Sequence, residues 1–282
     1  MRKTLSGCLI IFSVSASAIV IRHDVADEKY LADATDFAPL AKLYLDGAHG
    51  TLIKPDWVLT AAHATFCLHS GRYISLNNNY HKVERIFVHS DYQPGKSHDI
   101  ALIKLAAAVV GVTPAELYKE ADESGKVSWF MGTGGTGNGL TGQSIDNSAN
   151  AGVLRKAENK IEQAEGPVLT FKFDRDEQAL PYEGVSGGGD SGGPAYITIR
   201  GKHYLLGISS RVEGGSIGQY GVTEVYSRVS FFTAWIEQVM AAEQGSKLSI
   251  AKPKLDQLPA GLTEQGLAEV CADIGLQPHS NQ

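Results

Sequence analysis

One run constrains this 282-residue chain more than any other: Gly187-Gly188-Gly189-Asp190-Ser191-Gly192-Gly193-Pro194-Ala195. Glycine has no Cβ, so its backbone takes positive φ and approaches a ligand closely. So dense a run demands a tight, shaped loop that presents one reactive side chain, Ser191. A serine hydroxyl needs a base to take its proton and donors to hold the oxyanion it creates. The rest of the chain has to bring a histidine, an acid and convergent N–H groups to that loop.

Candidates for each stand at the ends of apolar runs. Trp57-Val58-Leu59 leads into Thr60-Ala61-Ala62-His63-Ala64, a buried strand that ends in a turn carrying His63. Asp99 opens the apolar strand Ile100-Ala101-Leu102-Ile103-Lys104-Leu105. The chain order is His63, Asp99, Ser191. In these motifs and their order the sequence resembles the trypsin/chymotrypsin-type serine proteases, over roughly Ile19 to Ala242. That order differs from those of subtilisin and the α/β-hydrolases.

The resemblance implies roles. Ser191 attacks a peptide carbonyl, His63 carries the proton, and Asp99 orients the imidazole. The N–H groups of Gly189 and Ser191 form the oxyanion hole. It also implies that a free α-ammonium at Ile19 pairs with Asp190 and fixes the glycine loop. No activation peptide separates Ile19 from the small-x-small site Ala16-Ser17-Ala18, so signal cleavage itself is expected to release the active form. Pairing would raise the ammonium pKa above its usual 7.7–8.0, and activity should then fall on the alkaline side.

Strand-sized apolar runs punctuated by Gly, Asn, Asp and Pro point to an all-β protein. The resemblance sharpens this to two six-stranded antiparallel β-barrels with a C-terminal helix and a short helical extension. Barrel one is expected over about 19–122 and barrel two over about 123–230. The closing helix is expected over 231–243, with Phe231, Trp235, Ile236 and Val239 on one face. Asn77-Asn78-Asn79 reads as a turn, and Gly132 to Gly139 as a loop beside the cleft. Residues 244–282 form an extension beyond the family domain. In it Leu267, Val270, Cys271 and Ile274 share one face of a short helix that Gly275 stops.

Residues 1–18 read as a signal peptide: Arg2 and Lys3, a short apolar stretch from Leu9, then the cleavage site. Export to the extracellular space or periplasm follows. Leu5-Ser6-Gly7-Cys8 precedes the apolar stretch, so lipidation is discounted. A formal net charge of −6 argues against nucleic acid or an anionic membrane as partner. The expected partners are polypeptide substrates met by a monomer, with no cofactor and no metal. Cys8 leaves with the signal. Cys67 and Cys271 remain, either bridged to each other or as two free thiols. The family's disulfide across the histidine loop is missing, with Ala48 and Ala64 at the matching positions. Gly187 stands where a second cysteine is common.

Specificity is read from the family's primary pocket. The resemblance places Val185 at its floor and Ser210-Arg211-Val212 along its wall, which argues for small or medium apolar residues before the cut. Glu224 either points into that pocket and attracts a cation or lies on a solvated loop. His98 is expected to face solvent. Two other classes stay open at this stage: a catalytically silent protease-like binding module, and a serine esterase on the same fold.

Overall fold

The computed structural model describes residues 18–150, 152–243 and 263–278. The signal peptide expected over residues 1–18 lies outside these, apart from Ala18, as does most of the extension's first half. The first strand, β1 (Ile19–Ile21), is followed by β2 (Leu40–Tyr44), β3 (Gly47–Lys54), β4 (Trp57–Thr60), β5 (Tyr73–Leu76), β6 (Asn79–Val88) and β7 (Ala101–Leu105). Strands β2 to β7 close into a barrel in the order β2-β3-β4-β7-β6-β5. Asn77 and Asn78 connect β5 to β6 in the left-handed region, at φ 50° and 58°. Leu76 pairs with Asn79, so this is the two-residue hairpin that matches strand twist.

A short β8 (Glu116–Leu117) links to the second half. There follow β9 (Val127–Gly132), β10 (Thr136–Asn138), β11 (Gly142–Ile145), β12 (Arg155–Glu165), β13 (Val168–Lys172), β14 (Gly184–Val185), β15 (Pro194–Ile199), β16 (Lys202–Glu213) and β17 (Thr223–Arg228). The order β15-β9-β12-β13-β17-β16 closes through a β15–β16 pairing into a second six-stranded barrel. The two-barrel fold is therefore as expected, and β8 adds in parallel to the outside of β16.

Two expected boundaries shift. Strand β1 pairs with β10 in parallel and with β14 antiparallel. The first residues of the span assigned to barrel one therefore sit on the second barrel's side. For the same reason Gly132 to Gly139 is not simply a loop: Thr136–Asn138 is the strand that receives β1.

Helix α1 (Val229–Glu243) follows β17 directly. It buries Val229, Phe232, Ile236 and Val239, a single stripe at helical spacing. Phe231, expected on that stripe, is 48% exposed. The stripe joins the first barrel's core of Leu43, Leu52, Leu59, Ile74, Leu102 and Ile103. Arg228, at the end of β17, meets buried Glu123 through two hydrogen bonds, at 2.9 and 2.7 Å. This planar, bidentate pairing satisfies both charges where β17 gives way to α1. Helix α2 (Glu264–Asp273) is capped by the Thr263 side chain. Its Leu267 and Cys271, with Ile274 just beyond, pack on the first barrel. No helix among the described residues is long and apolar enough to cross a membrane.

Candidate active site

Each motif is delivered by a local device. Strand β4 is buried throughout, and the chain leaves it in a single 3-10 turn, His63–Thr65. The Thr65 hydroxyl ties that turn to Ala62 O at 2.8 Å, and the Tyr44 hydroxyl donates to Ala64 O at 2.7 Å. Asp99 precedes β7, after His98 in the left-handed region at φ 54°. Ser191 lies in the loop between β14 and β15. There Gly189 takes φ +91°, a conformation that side chains oppose. Gly187 carries a different constraint: a Cβ there would run into the carbonyl oxygen of Gly135. The cysteine common at this position has no room.

The three side chains meet in the cleft. His63 Nε2 lies 2.7 Å from Ser191 Oγ, and His63 Nδ1 lies 2.7 Å from Asp99 Oδ2. The His63 N–H donates to Asp99 Oδ1 at 2.9 Å. With the Nδ1 proton held by the carboxylate, Nε2 is left to accept from the serine hydroxyl. Burial disfavours the charged form of either partner. The mutual attraction outweighs it, so the His63 pKa lies above the ordinary imidazole value and that of Asp99 below the ordinary carboxylate value. Two residues not singled out for this purpose support Asp99: Ser210 donates to its Oδ2, and Ser227 to its backbone carbonyl, each at 2.7 Å. Ser210 was expected only as pocket wall.

The Asp190 carboxylate is turned inward. Its Oδ1 accepts from Gly134 N–H at 2.7 Å and its Oδ2 from Gly187 N–H at 2.9 Å. The Ile19 N–H also favours its charged form. Burial pushes its pKa up to about 7 against these donors. His49 Nδ1 stands 4.0 Å away. Burial, with Lys42 nearby, drives the His49 pKa down to about 3, so the contact is with a neutral ring and is not an ion pair. Anchored in this way, the loop leaves the N–H groups of Gly189 and Ser191 with no hydrogen-bond acceptor among the described residues.

Beside Ser191 opens a cavity of about 240 Å³, walled by Ser210, Arg211 and Val212 and reached by Glu224. Val185 does not line it. A strand alternates faces, so Val185 on β14 packs inward on Val20, Phe173 and Val222, and the next residue, Ser186, faces the cavity. Nor is Glu224 on a solvated loop. It is 1% exposed on β17, its Oε2 accepts from Ser186 N–H at 3.2 Å, and its Oε1 has no partner among the described residues. Burial pushes its pKa up to about 8.

Cys67 and Cys271 form a disulfide with Cα atoms 5.2 Å apart. His98 is not turned to solvent: its ring lies 4.9 Å from that of His89 and 5.4 Å from that of Phe232. His89, Asp91 and His98 each bring one donor atom to within 4.8 Å of the others, with Asp91 exposed. This is the set that comes nearest to a metal site among the described residues.

The double barrel with serine, histidine and aspartate meeting between its halves defines the class: a serine-type peptidase of the trypsin fold. The family model for trypsin matches residues 30–236, and the chain belongs to the trypsin family. It is 32% identical over 213 residues to a trypsin from Saccharopolyspora erythraea, an alignment spanning 68% of this chain and 86% of that one.

Proposed function

We propose that this trypsin-family hydrolase is an exported serine endopeptidase that works through an acyl-enzyme. Ser191 Oγ adds to the scissile carbonyl while His63 Nε2 takes its proton. The N–H groups of Gly189 and Ser191 receive the oxyanion, each such donor being worth roughly 2.7–4 kcal/mol in the transition state. The C–N bond then breaks as the imidazolium returns the proton to the leaving amine. Water, deprotonated by His63, attacks the acyl-enzyme and releases the carboxylic acid and Ser191. Asp99 holds the tautomer and stabilises the imidazolium between these steps.

The residue before the cut is lysine or arginine. The support is Glu224: a buried carboxylate with one unpartnered oxygen, in the cavity beside Ser191. Such a group is stabilised by a cation, and an aliphatic side chain would leave it unpaired. This stands against the small apolar preference drawn from Val185 and Val212, of which Val212 lines the cavity and Val185 does not. Signal cleavage before Ile19 supplies the ammonium that pairs with Asp190.

The observation that carries the catalytic reading is the 2.7 Å approach of His63 Nε2 to Ser191 Oγ, with Asp99 on the opposite nitrogen. A fluorophosphonate probe tests it. The secreted protein should label stoichiometrically, and Ser191→Ala should not. Absence of labelling in a folded protein that begins at Ile19 overturns the proposal.

A further inference from the structure

Two cavities flank Ser191. The one holding Glu224 lies along Ser209 to Val212. The other, of about 170 Å³, includes His63 and Ser191 and is walled by Tyr44, Phe66, Ala64 and Ile274. Ile274 belongs to the C-terminal extension. We propose that this extension is a built part of the leaving-group side of the active site, and that Ile274 is a specificity-determining residue for the side chain that follows the scissile bond.

The first step is chemical and rests on the triad reading. The imidazole that protonates the leaving amine has to face it, so the departing peptide lies on the His63 side. Of the two cavities, only the second includes His63. It takes the residue after the cut, and the Glu224 cavity takes the residue before it.

The second step is structural, because a wall discriminates only if it is fixed. Four ties hold the extension at this point. The Cys67–Cys271 disulfide fastens α2 four residues past His63. Leu45 N–H donates to Ile274 O at 2.8 Å. Gly275 forms a bridge with Tyr44, and Leu276 with Tyr73. Leu276 is 5% exposed. Tyr44, which holds the histidine turn through its hydroxyl, is thus also the residue on which the extension is seated.

The third step is complementarity. Ala48 and Ala64 replace the bridge that the family resemblance places here, and both line the cavity. The wall is mainly apolar: the rings of Tyr44 and Phe66, 5.1 Å apart, and the aliphatic Ile274. Asp46 is the one carboxylate among the lining residues, and His63 the one basic side chain. The cavity therefore favours one aliphatic side chain and disfavours an acidic one.

The test uses peptides with a fixed acyl half and Leu, Ala or Asp after the scissile bond, together with a blocked methyl ester of the same acyl half. Wild type should cleave before Leu best and before Asp worst. In Ile274→Ala the Leu-to-Ala ratio in kcat/KM should fall about tenfold, the effect of removing methylene-scale contacts from an apolar pocket. Ile274→Val should give a smaller fall in the same direction, as should Cys67→Ala/Cys271→Ala. Methyl ester turnover, whose leaving group does not fill the cavity, should change by less than about twofold and also reports that the variants are folded. An unchanged Leu-to-Ala ratio in Ile274→Ala with ester turnover intact overturns the inference. Fluorophosphonate labelling checks the triad independently, so the two failures are distinguishable.

Discussion

The Ile19 backbone N–H favours the charged form of the Asp190 carboxylate, and Ile19 itself sits in the left-handed region, at φ 65°. For a β-branched residue this conformation is strained, by about 1–3 kcal/mol. Asp190 in turn is buried with neutral donors only and is pushed up to about 7. An uncut chain thus brings Ile19 to the right place but offers an amide where the carboxylate is best served by a positive charge. On the proposed maturation, cleavage before Ile19 would supply that charge and free φ.

The first consequence concerns the length of the amino terminus. Protein beginning at Ile19 should be fully active. Protein retaining Ala18 should be at least about tenfold slower, because its amide nitrogen carries no charge to pair with the buried Asp190. The measurement is active-site titration and kcat on two preparations whose termini are fixed by mass spectrometry. Equal kcat in the two removes the ammonium from the mechanism.

The second concerns pH. A carboxyl with a raised folded pKa binds its proton more tightly in the folded state. Stability of the uncut chain therefore falls as pH rises from the unfolded value near 3.9 to the folded value near 7, and is flat beyond. The ceiling is about 4 kcal/mol, at about 1.4 kcal/mol per pH unit. In the proposed form that begins at Ile19, the ammonium should offset this loss. Its own contribution is full below roughly 7.7–8.0 and disappears as pH climbs through its raised folded value. Between pH 5 and pH 7, Ser191→Ala carrying the leader should lose several degrees of Tm more than Ser191→Ala beginning at Ile19. Parallel melting curves across that range contradict the pairing.

Much of the site was legible because its motifs are local. His63 follows a buried strand, Asp99 opens one, and the glycines around Ser191 permit little besides a tight loop. What failed depended on facing and on distance along the chain. A slip of one residue turns a strand side chain to the other face. Val185 and Ser186 differ by that one step, and Glu224 stayed open because the loop before β17 left unsettled which residue there reaches the pocket. Helix α1 begins two residues earlier than expected, and its buried stripe falls on Phe232 instead of Phe231. The Cys67–Cys271 pairing spans 204 positions, and no local pattern encodes it. Ser210 was noticed for the cavity it borders, while its bond to Asp99 needed the three-dimensional fold.

That bond gives the third prediction. Asp99 is kept ionised by His63 and by the Ser210 hydroxyl. Ser210→Ala removes one donor and loosens the carboxylate, so kcat should fall about tenfold, in line with a hydrogen bond to a charged group of about 1.5–3 kcal/mol that water partly replaces. Asp99→Asn should fall by about 10⁴, because the imidazole then takes the wrong tautomer. Steady-state kinetics on one peptide amide separates the two. A Ser210→Ala loss as large as that of Asp99→Asn means that the hydroxyl does more than support.

Glu224 makes the fourth. Burial leaves it largely neutral at pH 7, and it ionises as pH rises through about 8. For substrates with Arg or Lys before the cut, kcat/KM should climb through that pH, while substrates with Leu there show no such rise. Glu224→Gln should remove the rise and lower the Arg value by about a hundredfold or more, the scale of leaving a buried charge without its partner. If cleavage after Ala and Val is the stronger in wild type and Glu224→Gln changes nothing, the small apolar reading returns.

The disulfide makes the fifth. It closes a span of 204 positions, and losing such a bridge costs about 2–5 kcal/mol. The loss is partly recovered because Leu267 and Ile274 still pack on the first barrel and Leu45 still bonds Ile274 O. For a domain of this size each kcal/mol moves Tm by about 2–4 °C. Cys67→Ala/Cys271→Ala should therefore melt about 5–15 °C lower by calorimetry, with a single cooperative transition. Wild-type protein treated with alkylating agent under non-reducing conditions should show no added mass at either position. Two alkylated thiols in the native protein, or a variant that melts with wild type, would mean that the extension is held by its apolar contacts alone.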